Sequence, residues 1–236
     1  MKRQIIALGG GGFSMEPRNR RLDSYILSQA NSSIPKVCFI PTASGDSRDY
    51  LRRFHHSFSK YNCVTNDLEL FKPKHADFES FLLEQDVIYV GGGNTRNMLL
   101  LWKEWKIDKI LRKAYEKGIL LTGLSAGAIC WFEQGITDPE NGDLYVLNGL
   151  GFLAGSSCPH YNGEGRRRPA YKKLILNGSA KSGYAIDDGV GLHFINGKLH
   201  KVISSRKTAK AFYVQNKNGV FQEDKLDVQY ITTPLL

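Results

Sequence analysis

Residues 119–129 read Ile-Leu-Leu-Thr-Gly-Leu-Ser-Ala-Gly-Ala-Ile, an apolar run that breaks into G-x-S-x-G and continues in small residues. A strand entering a helix through so tight a turn tolerates only small residues on either side of the serine. The segment therefore demands a buried strand with a helix folded directly back on it. The same grammar appears twice more: residues 4–8 run into Gly9-Gly10-Gly11-Gly12, and residues 86–90 run into Gly91-Gly92-Gly93.

Between these runs the spacing predicts helices over residues 20–29, 48–60, 94–102 and 106–116, with a further buried strand at 37–40. Strands alternating with helical patterns imply an α/β fold, a mostly parallel sheet with helices on both faces. The second half differs. Short β-like pieces at 184–186, 190–194, 199–203 and 211–214, with tight turns at Asn196-Gly197 and 216–219, predict a hairpin-rich C-terminal extension of that sheet. With no repeat, linker or low-complexity tract, residues 1–236 are expected to form a single domain. Functional groups collect at the carboxyl ends of strands in open parallel sheets, so the three glycine-rich segments should share one edge.

Composition excludes several classes. The net charge of +9 is spread along the chain apart from Arg18-Asn19-Arg20-Arg21 and Arg166-Arg167-Arg168. Neither run is accompanied by a nucleic-acid-binding motif, and no nucleic-acid partner is expected. No stretch approaches the roughly 20 apolar residues of a membrane span, and the apolar run after Met1-Lys2-Arg3 is too short for a secretory leader. A cytoplasmic protein is expected. Cys38, Cys63, Cys130 and Cys158 are far apart and form no C-x-x-C pair, so neither a metal site nor a disulfide framework is expected. Cys38 and Cys130 read as small core residues.

The chemistry centres on Ser125. The turn pushes its hydroxyl toward substrate, and the next backbone N–H, on Ala126, points into the same space where it can bind an oxyanion. The rival reading is a turn serine that caps a helix. A nucleophilic serine needs a base. His55 and His56 read as helix surface, His75 as loop, and His193 and His200 fall in hairpin-like strands. His160 lies in the proline-bounded loop Ser157-Cys158-Pro159-His160-Tyr161, a suitable place for an imidazole to lean over another loop. An orienting carboxylate is offered by Asp187 or Asp188 at the end of a short apolar run; an Asx-turn is the alternative for both. The order Ser…His…Asp disfavours the α/β-hydrolases.

The Gly91-Gly92-Gly93 loop offers bare N–H donors, one of which can serve as a second oxyanion donor opposite Ala126, and Asn94 and Thr95, at the helix start that follows, are candidates for substrate binding. No Gly-Lys-Ser/Thr follows, so this is not a phosphate loop. Gly9-Gly10-Gly11-Gly12 lacks the last glycine of a dinucleotide fingerprint, because Ser14 and Met15 stand where it would fall. A turn lining the same cleft is expected, with no cofactor.

Five motifs occur in order: Leu8-Gly9-Gly10-Gly11-Gly12, Phe39-Ile40-Pro41-Thr42-Ala43, Gly91-Gly92-Gly93-Asn94-Thr95, Gly123-Leu124-Ser125-Ala126-Gly127-Ala128 and Ile186-Asp187-Asp188-Gly189. Together they resemble the dipeptidase E and cyanophycinase family of serine peptidases, peptidase family S51, in its uncharacterised bacterial peptidase E-like branch. The resemblance covers residues 5 to 195. It implies a class I glutamine amidotransferase-like fold and hydrolysis of short peptides beside an aspartyl or other acidic residue through an acyl-enzyme. It matches Ser125 to the nucleophile, His160 to the base, Asp188 in preference to Asp187 to the orienting acid, and Gly92 and Ala126 to the oxyanion hole.

Arg166, in the basic run after His160, is a candidate to hold an acidic substrate side chain; a solvated basic loop is the alternative. Two other functions remain compatible with these residues: an esterase or amidase acting on a non-peptide acyl group, and a non-catalytic module whose glycine loops hold a ligand. A small peptide is the expected partner, and a homodimer is compatible with the chain.

Overall fold

Apolar runs form strands β1 (Gln4–Leu8), β2 (Lys36–Ile40), β4 (Val87–Val90) and β5 (Leu120–Leu124), and the more polar, half-exposed β3 (Val64–Asp67) joins them at the sheet edge. They lie parallel in the order β1-β5-β4-β2-β3. This computed structural model describes residues 2–138 and 142–232. Met1 and residues 233–236, the two ends of the expected domain, lie outside the described residues, as do residues 139–141.

The period of two along a strand sorts its residues to opposite faces. Ile6, Leu8, Phe39, Tyr89 and Leu124 pack on Phe13 of α1 (Gly12–Met15), Leu22 and Ile26 of α2 (Arg21–Ser28) and Phe54 of α3 (Arg48–Phe58). Ile5, Ile40, Ile88, Val90 and Leu121 pack on Leu82 of α4 (Phe78–Leu83), Met98 and Trp102 of α5 (Thr95–Glu104) and Leu111 of α6 (Ile107–Glu116). Strands covered on both faces have no solvent side, which is why they read as unbroken apolar runs. The helices expected from the sequence are present on both faces, with ends moved by a few residues. The short helix α7 (Ala126–Ile129) follows β5.

The rest of the chain adds β6 (Phe132–Thr137), β7 (Tyr145–Asn148), β8 (Leu153–Cys158), α8 (Arg167–Leu176), β9 (Gly183–Ile186), β10 (Val190–Ile195), β11 (Lys198–Ser204), β12 (Ala211–Lys217), β13 (Val220–Lys225) and β14 (Val228–Tyr230). β10 pairs antiparallel with β1, and β11 and β14 follow it, extending the parallel strands to an eight-stranded sheet. This part of the expected extension is present. The pieces at 184–186 and 211–214 do not join it. They fall in β9 and β12, which belong to a second, six-stranded sheet of order β13-β12-β9-β8-β6-β7. The cause is the turn Asp187-Asp188-Gly189, where Gly189 takes φ +82° and the chain leaves one sheet for the other.

β8 and β9 are parallel neighbours in the second sheet, as β1, β5 and β4 are in the first. The loops after β8 and β9 carry His160 and Asp188; those after β1, β4 and β5 carry the three glycine-rich segments. No helix among the described residues is long and apolar enough to cross a membrane.

Candidate active site

Ser125 sits between β5 and α7 at φ +54° and ψ −115°, a strained conformation for a residue with a side chain. Its neighbours make the turn possible. A Cβ on Gly123 would stand 2.5 Å from the Gly127 carbonyl oxygen, and one on Gly127 would stand 2.2 Å from that of Val90. The G-x-S-x-G spacing is thus required by backbone packing against β4. The Ser125 N–H donates to the Leu8 carbonyl at 3.2 Å, pinning the elbow to the end of β1. Ala126 opens α7, so its N–H is a first-turn donor with no intrahelical carbonyl to bond.

His160 is held from the other side. Its N–H donates to the Gly9 carbonyl at 3.0 Å, and its backbone takes φ +54°. Its side chain is 13% exposed, and its Nδ1 lies 2.6 Å from Asp188 Oδ1. An ionised carboxylate only accepts, so Nδ1 carries the proton and donates it, leaving Nε2 as the acceptor. The Asp188 N–H in turn donates to Asn162 Oδ1 at 2.9 Å. The first glycine loop lies flat against this pair. A Cβ on Gly10 would fall 2.1 Å from Asp188 Oδ1 and 3.0 Å from His160 Nδ1.

Asp187 has a different task. Its Oδ2 accepts the Lys210 N–H at 2.8 Å, tying the turn to the start of β12. Burial raises its pKa most, and Asp188 adds to the rise, against the Lys210 hydrogen bond.

The Gly92 loop lies beside the elbow: a Cβ on Gly92 would stand 3.2 Å from Ser125 Cβ. Its N–H donates to Tyr50 Oη at 3.2 Å, a contact invisible in the sequence because Tyr50 reads there as one more apolar position of an amphipathic helix. Asn94 caps α5, its Oδ1 accepting the Asn97 N–H at 2.9 Å. Thr95 is 1% exposed, and its hydroxyl faces that of Thr137 at 3.4 Å. Both residues build the helix start beside the glycines.

The three arginines each have an acid. Arg166 pairs with Asp138 and also donates to the Gly142 carbonyl at 2.9 Å. Arg167 is buried and pairs with Glu164 at 2.7 Å, and Arg168 pairs with Glu223.

Other histidines stand apart from this cluster. His55, expected on the surface, is partly buried between Thr65 Oγ1 at 3.0 Å and Asp67 Oδ1 at 2.9 Å. Cys38 and Cys130 are buried, as expected of core residues, and burial pushes both thiols well up.

The family model described as peptidase family S51 matches residues 5–202. The chain belongs to peptidase family S51. It is 57% identical to the uncharacterized peptidase YgaJ of Bacillus subtilis (strain 168), over 97% of this chain and 99% of that protein. It is 32% identical to Peptidase E of Pasteurella multocida (strain Pm70), over 55% of this chain and 58% of that protein. A solved peptidase structure from an acI-B1 Actinobacterium superposes with a TM-score of 0.70 at 18% identity, covering 95% of this chain and 94% of that one. The α/β architecture described above is thus that of a solved peptidase, and the family is one of peptidases.

Proposed function

We propose that this S51 member is a serine peptidase that hydrolyses short peptides beside an aspartyl or other acidic residue. Ser125 is its nucleophile, His160 its base and Asp188 the acid that orients the imidazole. The observation that carries the reading is the 2.6 Å contact between His160 Nδ1 and Asp188 Oδ1, made by a histidine tethered one carbonyl away from the Ser125 elbow.

His160 Nε2 takes the Ser125 proton as the hydroxyl oxygen attacks the scissile carbonyl. Asp188 stabilises the imidazolium that forms, without taking its proton. The developing oxyanion receives the Ala126 N–H and the Gly92 N–H. Gly92 donates to the Tyr50 phenol in the resting protein. An oxyanion is a stronger acceptor than a neutral hydroxyl, so this donor exchanges partners as charge develops. A bond made only in the transition state lowers the barrier rather than KM. His160 then protonates the leaving amine, and water, deprotonated by the same imidazole, releases the acyl group from Ser125.

The test is hydrolysis of a dipeptide panel, aspartyl dipeptides included, by wild type and Ser125→Ala. Loss of a triad member costs roughly 10⁴-fold or more in kcat. Turnover by the folded variant at the wild-type rate would refute the assignment.

A further inference from the structure

An acidic substrate needs a cation within reach of the elbow, and the arginine run after His160 meets this poorly. A carboxylate arriving at Arg166, Arg167 or Arg168 would compete with Asp138, Glu164 or Glu223, already held in an ion pair.

Arg53, on α3, is placed differently. Its guanidinium lies over the Tyr50 ring, with Cζ 4.9 Å from the centroid. Its Nη1 donates to the Ser14 carbonyl of α1 at 3.1 Å. No carboxylate pairs with it among the described residues; Asp49, one turn earlier on the same helix, pairs with Arg52. Arg53 is exposed, so the N–H groups that Ser14 does not use are open to solvent. The ring beneath it leads to the site: Tyr50 is 6% exposed, its Oη accepts the Gly92 N–H, and Gly92 adjoins Ser125 Cβ. Phe13 of α1 packs against the Tyr50 ring, with centroids 5.6 Å apart, so α1, α3 and the Gly92 loop meet at that side chain. A planar guanidinium steadied by an aromatic face and one carbonyl is preorganised for bidentate contact with a carboxylate.

We propose that Arg53 is the specificity-determining cation of this site and receives the carboxylate of an acidic peptide substrate at the rim between α1 and α3. The assignment rests on the serine-peptidase reading.

The experiment compares wild type, Arg53→Gln, Arg53→Lys and Arg96→Gln on aspartyl and asparaginyl dipeptides of the same leaving residue, and on a neutral acyl ester. Arg96 is an exposed arginine in the first turn of α5, also without a carboxylate partner among the described residues, and controls for net charge. Arg53→Gln should raise KM for the aspartyl peptide at least about tenfold, as expected for a lost charge-assisted contact. It should leave the asparaginyl peptide and the ester near wild-type values. Arg53→Lys should recover part of the aspartyl preference. A purely structural clasp of α1 to α3 would shift all three substrates together and would overturn the proposal. So would an unchanged aspartyl-to-asparaginyl ratio in Arg53→Gln, or an equal change in Arg96→Gln. A wild type that turns over none of the substrates would remove the peptidase reading itself, and this assignment with it. A wild type that cleaves all three, beside an Arg53→Gln with unaltered preference, would remove the Arg53 assignment alone.

Discussion

The backbone amides of Ser125 and His160 hang from consecutive carbonyls at the end of β1, those of Leu8 at 3.2 Å and Gly9 at 3.0 Å. Two loops that belong to different sheets are thereby fixed to one short stretch of backbone. The strand end acts as a ruler between the hydroxyl and the imidazole, and the glycines that follow it leave room for the Asp188 carboxylate.

Gly10 and Gly127 should therefore fail in different ways when changed to alanine. The new methyl of Gly127→Ala meets the Val90 carbonyl at 2.2 Å, and backbone cannot retreat. A loss of roughly 3 kcal/mol or more in unfolding free energy, or no soluble protein, is expected. The new methyl of Gly10→Ala meets side-chain atoms of Asp188 and His160. These can move, so the fold should survive while kcat falls about a hundredfold, the cost of displacing a catalytic group by about 1 Å. Thermal melts beside steady-state kinetics separate the two outcomes.

The two neighbouring aspartates should also divide cleanly. Asp188→Asn keeps the shape but no longer holds the His160 tautomer, and kcat should drop about 10⁴-fold. Asp187→Ala leaves the Lys210 N–H without its acceptor. That costs about 1–3 kcal/mol of stability, with kcat close to wild type. Denaturant midpoints and kinetics on the pair check both statements.

His193 gives a pH prediction for the fold. It is fully buried, with Nδ1 2.8 Å from Tyr25 Oη and Nε2 3.1 Å from Gln4 Oε1. Burial, aided by the nearby His200, Lys2 and Lys201, lowers its pKa from 6.5 to about 4. The unfolded chain binds this proton more readily than the native state. Its contribution is full above pH 6.5 and is lost as pH falls toward 4, to the extent of roughly 2–3 kcal/mol. Asp23, buried and raised to about 7, acts in the opposite sense between pH 4 and 7. The comparison with His193→Gln therefore isolates the histidine: the stability advantage of wild type over the variant should shrink between pH 7.5 and 4.5 in chemical denaturation.

What could be read from the chain beforehand follows the range of the interactions. The Ser125 elbow and the three glycine loops were legible because their spacing answers to contacts between adjacent parallel strands. The second sheet was not. β6 and β8 carry glycine, serine and glutamine where a buried strand would show an apolar run, and β8 pairs with a strand 27 residues onward, Ser156 opposite Gly183. The proline-bounded loop set His160 apart from the other histidines, but without that sheet the residues did not decide between a base and a satisfied loop histidine; the family resemblance matched it to the base. The choice between Asp187 and Asp188 depends on side-chain direction in a turn, which composition does not encode. Tyr50 was missed for a related reason, since a buried ring in an amphipathic helix reads as core until the loop above it is in place. The Arg166–Arg168 run looked like free charge because its acids lie 28, 3 and 55 residues away in sequence.

The central claim, that the Ser125 hydroxyl is activated by His160, is tested most directly by intact-mass analysis after treatment with a serine-directed phosphonate. Wild type should gain one adduct, located at Ser125 by peptide mapping. Ser125→Ala should gain none, and His160→Gln should react far more slowly. An adduct at another residue, or labelling of Ser125 at an undiminished rate in His160→Gln, would contradict the account.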